Sequence, residues 1–204
     1  MTGAHGAAAK VDGRRERSKR TRAAIVAALT ELLDEGRIEP TAADVAKRAG
    51  VAVRSIAQHF PTREELLLAV AAHHGERLEQ DHEALDGGTS FEERLDRFVA
   101  VRARELEASR AMRGAAAVVQ ARSPAVQHAL QRAAERRRAE AARVFAEEIA
   151  RASDPKATER TVALVTSGRA WDALRTEMRL GQKAARDQLA MSLRCALCPP
   201  DEGR

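Results

Sequence analysis

Residues 40–63 read PTAADVAKRAGVAVRSIAQHFPTR, and they spell two short helices joined by a tight turn. In the first, Ala42, Val45, Ala46 and Ala49 recur at helical spacing and make a small apolar face, with Thr41 where an N-cap belongs. Gly50 supplies the left-handed residue that stops this helix, and Val51 plugs the crossing. The second helix is expected over residues 52–59, stopped by Phe60-Pro61, with Ile56 and Phe60 inward. Its outer face offers Val53, Arg54, Ser55 and Gln58, with His59 at its end. Helix, glycine turn, helix is the geometry that sets a second helix in the DNA major groove.

Chemistry divides these residues by role. Arg54 suits a bidentate pair with guanine, and Val53, Ser55 and Gln58 suit neighbouring base edges. Thr41, His59 and Arg63 are placed to hold phosphates, contacts that orient a protein without reading sequence.

The run ADVAKRAGVAVRSIAQHFPTREELLLAV (residues 43–70) resembles the DNA-binding segment of the tetracycline-repressor (TetR) family of bacterial regulators. The shared pattern is Thr41 opening the first motif helix, Ala49-Gly50-Val51 at the turn, His59-Phe60 closing the second, and Arg63-Glu64-Glu65-Leu66 starting the next. The resemblance implies an N-terminal head that reads DNA, a helical body that senses a ligand, and a homodimer held by the last two long helices. It implies a near-palindromic operator as partner, an unidentified small-molecule effector, and repression as the commoner outcome. Two positions depart from the family pattern. Ala57 stands where an aromatic residue, most often Tyr, is usual, and Ala52 stands where Ser usually opens the recognition helix. Both losses imply weaker phosphate anchoring by the motif itself.

Composition agrees with an all-α fold. Among 204 residues only 2% are aromatic and none is Tyr, so helices must pack through small aliphatic side chains. A formal net charge of +5 fits a polyanionic partner. No apolar run approaches the roughly 20 residues needed to span a bilayer, and no signal-peptide core is present, which points to the cytoplasm.

Around the motif, residues 1–16 are expected as a disordered basic arm, opening Gly- and Ala-rich. Arg14, Arg15, Arg17, Lys19, Arg20 and Arg22 stand against Glu16 alone, a charge run suited to phosphates or a minor groove. A helix over 17–35, with stripe Ile25, Leu29, Leu32 and Leu33, completes a three-helix head over residues 17–62. Residues 63–198 are expected as the helical ligand-binding and dimerisation body, and 199–204 as a tail, about nine helices in all. The expected body helices cover 63–85 (capped by Thr62 with Glu65), 91–108 (capped by Ser90 with Glu93), 112–121, 124–152, 155–180 and 182–197. Their breaks are Asp86-Gly87-Gly88, Ser123-Pro124, Asp154-Pro155 and Gly181.

Within the body, Arg102 interrupts an apolar stripe and reads either as half of a buried pair or as a guanidinium facing ligand. Arg102, Met112, Val119 and the single Trp171 are the candidate ligand contacts, and the apolar surroundings suggest an apolar effector. Glu135 to Arg138 read as a solvated face. Cys195 and Cys198 supply half a zinc site and read as small half-buried residues near a dimer interface. His73, His74 and His82 read as surface or interface histidines. No catalytic elbow, phosphate loop or metalloprotease motif occurs, so neither catalysis, a cofactor nor a metal is expected. Two rivals differ in class: a nonspecific helical DNA coater, and a helical ligand-binding protein or enzyme whose head has lost DNA binding.

Overall fold

The computed structural model describes the backbone of residues 4–82 and 90–198, and the side chains of residues 13–75 and 90–198. Over these residues the chain forms helices and no strand. The Asp86-Gly87-Gly88 break, residues 1–3, the side chain of His82 and the tail over 199–204 lie outside the described residues.

The first helix, α1 (Ala4–Asp34), starts earlier than the expected residue 17. Its backbone is helical through the stretch read as a disordered arm. Ala7, Ala8, Ala9 and Lys10 are strong helix formers, and Arg-rich sequence continues the propensity past Gly13. Gly36, at φ 85°, ends the element, and its N–H donates to the Leu33 carbonyl at 2.8 Å.

Two apolar cores follow. The first joins Ile25, Leu29, Leu32 and Leu33 of α1 to Val45, Ala46, Ile56, Phe60, Leu66, Leu67 and Val70, all buried. These come from α2 (Ala42–Ala49), α3 (Val53–His59), the residue closing it and α4 (Arg63–His82). The second core holds Leu95, Phe98, Val99 and Leu106 of α5 (Phe91–Ala108) against Phe145, Val162, Trp171, Leu189 and Leu193. Between them lies α6 (Arg110–Gln120), whose Ala115 is fully buried in the first core.

Two of the long expected helices divide, while the last keeps its expected bounds. The expected helix over 124–152 divides into α7 (Pro124–Val144) and α8 (Ala146–Arg151) at Phe145. Phe145 takes φ −109° and ψ 26° so that its buried ring meets Phe98 edge-on at 5.0 Å. The expected helix over 155–180 divides into α9 (Pro155–Val165), α10 (Gly168–Asp172) and a π-helical turn, Ala173–Glu177. The cause is local: Thr166 Oγ1 donates back to the Val162 carbonyl at 2.7 Å, and Ser167 Oγ accepts the Ala170 N–H at 3.1 Å as a new N-cap. Residue Arg179, at φ 53°, then turns the chain toward α11 (Gln182–Leu197).

The α11 stripe Leu189, Leu193 and Leu197 packs inside its own chain. What the last helical region leaves exposed is Leu164, Met178 and Met191, at 67%, 63% and 58%. Cys195 and Cys198 are exposed free thiols rather than half-buried residues. Among the described residues no helix is long and apolar enough to cross a membrane.

Candidate nucleic-acid interface and effector cleft

The turn between α2 and α3 is built from backbone geometry. Thr41 opens α2 with a reciprocal cap: its Oγ1 accepts the Asp44 N–H at 3.2 Å, and Asp44 Oδ2 accepts the Thr41 N–H at 2.9 Å. Thr41 Oγ1 also donates to Asp44 Oδ2 at 2.7 Å, and Arg37 pairs with that carboxylate at 2.7 Å. These bonds, the Thr41 hydroxyl first and Arg37 next, hold the Asp44 carboxyl well below the usual carboxylate range. Gly50 closes α2 at φ 66°, and the Val51 N–H donates to the Ala46 carbonyl at 3.0 Å.

Seven residues make α3, about two turns or 10 Å. Ile56 and Phe60 are buried beneath it, and the Arg22 guanidinium lies over the Phe60 ring at 4.7 Å. The opposite face pairs Val53 with Ala57 and Arg54 with Gln58 at four-residue spacing, all exposed. Val53 is 51% exposed on this face. Arg54, Gln58 and His59 have no hydrogen-bond or ion-pair partner among the described residues. Ser55 and His59 sit half-buried on one flank. Ala52 is the N-cap residue of α3 and makes no side-chain cap, so the helix opens with its first N–H groups unmet by a side chain.

Two of the expected phosphate contacts have intramolecular work. The Thr41 hydroxyl is engaged with Asp44, and Arg63 Nη2 donates to the Ile38 carbonyl at 3.2 Å while staying exposed. Other cations are also engaged: Arg48 forks onto Glu35 at 2.8 and 2.9 Å and reaches Glu31 at 3.3 Å, and Lys19 pairs with Glu16 at 3.1 Å. By contrast Arg14, Arg15, Arg17, Arg20 and Lys47 are exposed and unpaired among the described residues. Lys47 was missed in the sequence. Its position two turns after the cap, on the polar side of α2, was the available signal.

The expected ligand contacts do not line the cleft beside α6. Arg102 is 1% exposed, ion-paired to Glu105 at 3.2 Å and Glu140 at 2.5 Å, and stacked 4.9 Å from the Phe98 ring. It is a buried structural cation. Trp171 is buried in the same core and donates from Nε1 to Glu107 at 2.8 Å, where Arg175 and Gln182 also converge. Met112 and Val119 are half-buried and pack against the first core.

The cleft lies on the other side of α6. It encloses about 820 Å³, the size of a site for a drug-like molecule. Arg113, Ala117, Gln120 and Ala121 of the α6 region face it across Leu130, Ala134 and Arg138 of α7, and Ser167, Arg169 and Asp172 complete its wall. Glu135, Arg137 and Arg138, expected as a solvated face, line it too. The lining is mixed, small apolar side chains with arginine, glutamine and carboxylate groups among them, where a purely apolar one was expected. Arg113 organises the wall: Nε and Nη2 fork onto Asp172 at 3.1 and 2.6 Å, while Nη1 donates to Ser109 Oγ at 2.5 Å and the Leu106 carbonyl at 2.9 Å. In the sequence, Arg113, Ala117 and Gln120 already share a helical face opposite Met112, Ala115 and Val119.

Comparison with known proteins agrees with this geometry. Residues 25–70 match the family model described as bacterial regulatory proteins, tetR family. No curated protein sequence matches the chain. A solved structure from Rhodococcus sp., assigned to the TetR family of transcriptional regulators, is 21% identical with a TM-score of 0.66, covering 88% of this chain and 99% of its own. The multidrug binding protein EbrR complexed with imidazole is 22% identical with a TM-score of 0.57, covering 91% of this chain and 92% of that one. NalD, the secondary repressor of the MexAB-OprM multidrug efflux pump in Pseudomonas aeruginosa, is 18% identical with a TM-score of 0.55, covering 89% and 98%. At these identities the solved structures speak for the fold, and the match over 25–70 speaks for the head.

Proposed function

We propose that this chain, a member of the tetR family of bacterial regulatory proteins by its residues 25–70, is a homodimeric repressor released from its operator by a small molecule. Residues 17–62 serve as the DNA-reading head and 63–198 as the sensing and dimerising body. The observation that carries the reading is α3: a short helix seated on Ile56 and Phe60, presenting exposed Val53, Arg54 and Gln58 with no competing partner among the described residues. Arg54 reads a guanine, Val53 meets a thymine methyl, and Gln58 and Ser55 serve flanking edges. Ala52, at the open start of α3, lets backbone N–H groups approach a phosphate. Thr41, His59 and Arg63 contribute at the phosphate flank.

Exposed Arg14, Arg15, Arg17 and Arg20 on α1 supply further phosphate charge beside the motif, offsetting the hydroxyl absent at Ala57. Exposed Leu164, Met178 and Met191 are the apolar side chains with which the region over 155–197 pairs with its copy. Two recognition helices then reach successive major grooves about 34–36 Å apart. The effector occupies the α6 cleft. One face of α6 lines that cleft through Arg113, Ala117 and Gln120, while its opposite face enters the head through Ala111, Met112, Ala115 and Val119. A shift of this one helix alters both sites, which is the differential contact a switch requires. The chain acts by binding rather than by catalysis.

The test is the Arg54→Ala variant on operator and on scrambled DNA of equal length. We expect a loss of about 1–3 kcal/mol on the operator and little on the scrambled duplex. Equal losses on both would remove Arg54 from base reading.

A further inference from the structure

The cleft beside α6 carries more cation than its own carboxylates neutralise. Arg113 is matched by Asp172 at 2.6 Å, and Arg137 by Glu105 at 3.3 Å. Three charged groups on the wall then remain without a partner among the described residues: Arg138 and Arg169, and opposing them the carboxylate Glu135. Two guanidiniums against one carboxylate leave a single positive charge. Burial, helped by neighbouring Arg102 and Arg113, pushes the Arg137 pKa down despite the opposing pull of Glu105. An incoming cation would therefore meet four arginines and one free carboxylate, whereas a monoanion completes the balance.

The rest of the wall defines the body of such a ligand. Ala117, Ala121, Leu130, Ala134 and Ala163 give an apolar floor of small side chains, with room above them in a cleft of about 820 Å³. Side-chain amides of Gln120, Gln127 and Gln131, unpartnered among the described residues, edge it. Thr166 adds no donor, because its hydroxyl is committed to the Val162 carbonyl. Ser167 accepts the Ala170 N–H and keeps its own O–H to donate.

We propose that the cleft takes a monoanionic amphiphile, an organic carboxylate whose apolar part lies on the alanine floor and whose carboxylate is gripped by Arg138 and Arg169. This rests on the cleft being the effector site and names the chemistry it selects. The excess positive charge, with the apolar floor beside it, is what chooses the acid over an amine or a neutral alcohol of equal length. A guanidinium fork accommodates two carboxylate oxygens, so the acid gains charge-assisted hydrogen bonds that the alcohol lacks.

The experiment uses the full chain and three probes with one tail: octanoate, octanol and octylammonium. Binding is followed by calorimetry and by the emission of Trp171, the sole Trp in a chain with no Tyr and the neighbour of cleft residue Asp172. We expect octanoate to bind at least about tenfold more tightly than either analogue. In the double variant Arg138→Gln, Arg169→Gln that advantage should fall below about twofold while octanol binding stays within about twofold of the wild type. Octanol or octylammonium binding as tightly as octanoate would overturn the proposal, as would an octanoate advantage that survives the double substitution. Saturable binding of none of the three, with operator binding intact, would overturn the cleft as an effector site altogether. Selective octanoate binding that fails to release operator DNA would leave the anion site standing and count against its regulatory role alone.

Discussion

Gly168 opens α10 with Arg113 directly above it, and Gly168→Ala puts that arrangement under strain. A Cβ at this position would lie 2.8 Å from Arg113 Nε, 2.9 Å from Cδ and 3.3 Å from Cζ, all inside van der Waals contact. The guanidinium must retreat, and its fork onto Asp172 at 2.6 and 3.1 Å opens. These side chains are 12% and 36% exposed, so the pair falls between a surface ion pair and a buried one, and losing it costs about 1–2 kcal/mol. The backbone offers an opposing gain. Gly168 is not among the residues at positive φ, so Ala fits its conformation and stabilises by about 0.4–1 kcal/mol through the unfolded chain. The net expectation is a loss of roughly 0.5–1.5 kcal/mol, or a melting-point fall of about 1–6 °C for a chain of this size. In an Arg113→Ala background the obstruction is gone and only the gain remains, so the same substitution should stabilise. Urea denaturation at fixed protomer concentration measures all four corners of this cycle. A stabilising Gly168→Ala in the wild-type background, or an identical change in both backgrounds, would refute the steric reasoning.

Three further outcomes are expected. Arg102→Met removes the cation between Glu105 and Glu140, 5% and 10% exposed, and should cost about 3 kcal/mol in urea denaturation with the fold retained; a change below about 1 kcal/mol would mean the two carboxylates find other partners. Asp44 has a folded-state pKa depressed by Thr41 and Arg37, so the stability it gives is complete above its unfolded value near 3.9 and is lost as pH falls through the depressed folded value. Acid unfolding of Asp44→Asn should therefore lose that part of the pH dependence, and an unchanged acid limb would contradict the cap geometry. Ala57→Tyr should tighten binding to operator and scrambled DNA alike by about 1–2 kcal/mol, with no change in salt slope, because a neutral hydroxyl releases no counterion.

The head was legible because its signals are local. Thr41, Gly50 and the Phe60-Pro61 stop each act within four residues, and Ile25, Leu29, Leu32 and Leu33 recur on one helical face. Less local features escaped. The Phe145 break has no glycine or proline to announce it; the ring's place against Phe98, 47 residues earlier, bends the helix. Composition misled at the start of α1, where a Gly-Ala-rich stretch read as disorder although its alanines favour helix. The Thr166-Ser167 break was readable in principle, since adjacent hydroxyl residues compete for helix backbone. The cleft was not: Arg113 and Asp172 are 59 residues apart, and no local pattern joins them. Arg102 was open between two roles in the sequence, and burial among Phe98, Glu105 and Glu140 decides for the structural one.

Sequence-specific DNA binding is tested most directly by fluorescence anisotropy of the full chain on DNA from upstream of its own gene, against scrambled DNA of equal length, across a salt series. A preference of about a thousandfold or more at physiological salt is expected for a head that reads bases through α3. Equal binding to both duplexes, falling steeply with salt, would contradict it and leave a nonspecific DNA coat held by the arginines of α1.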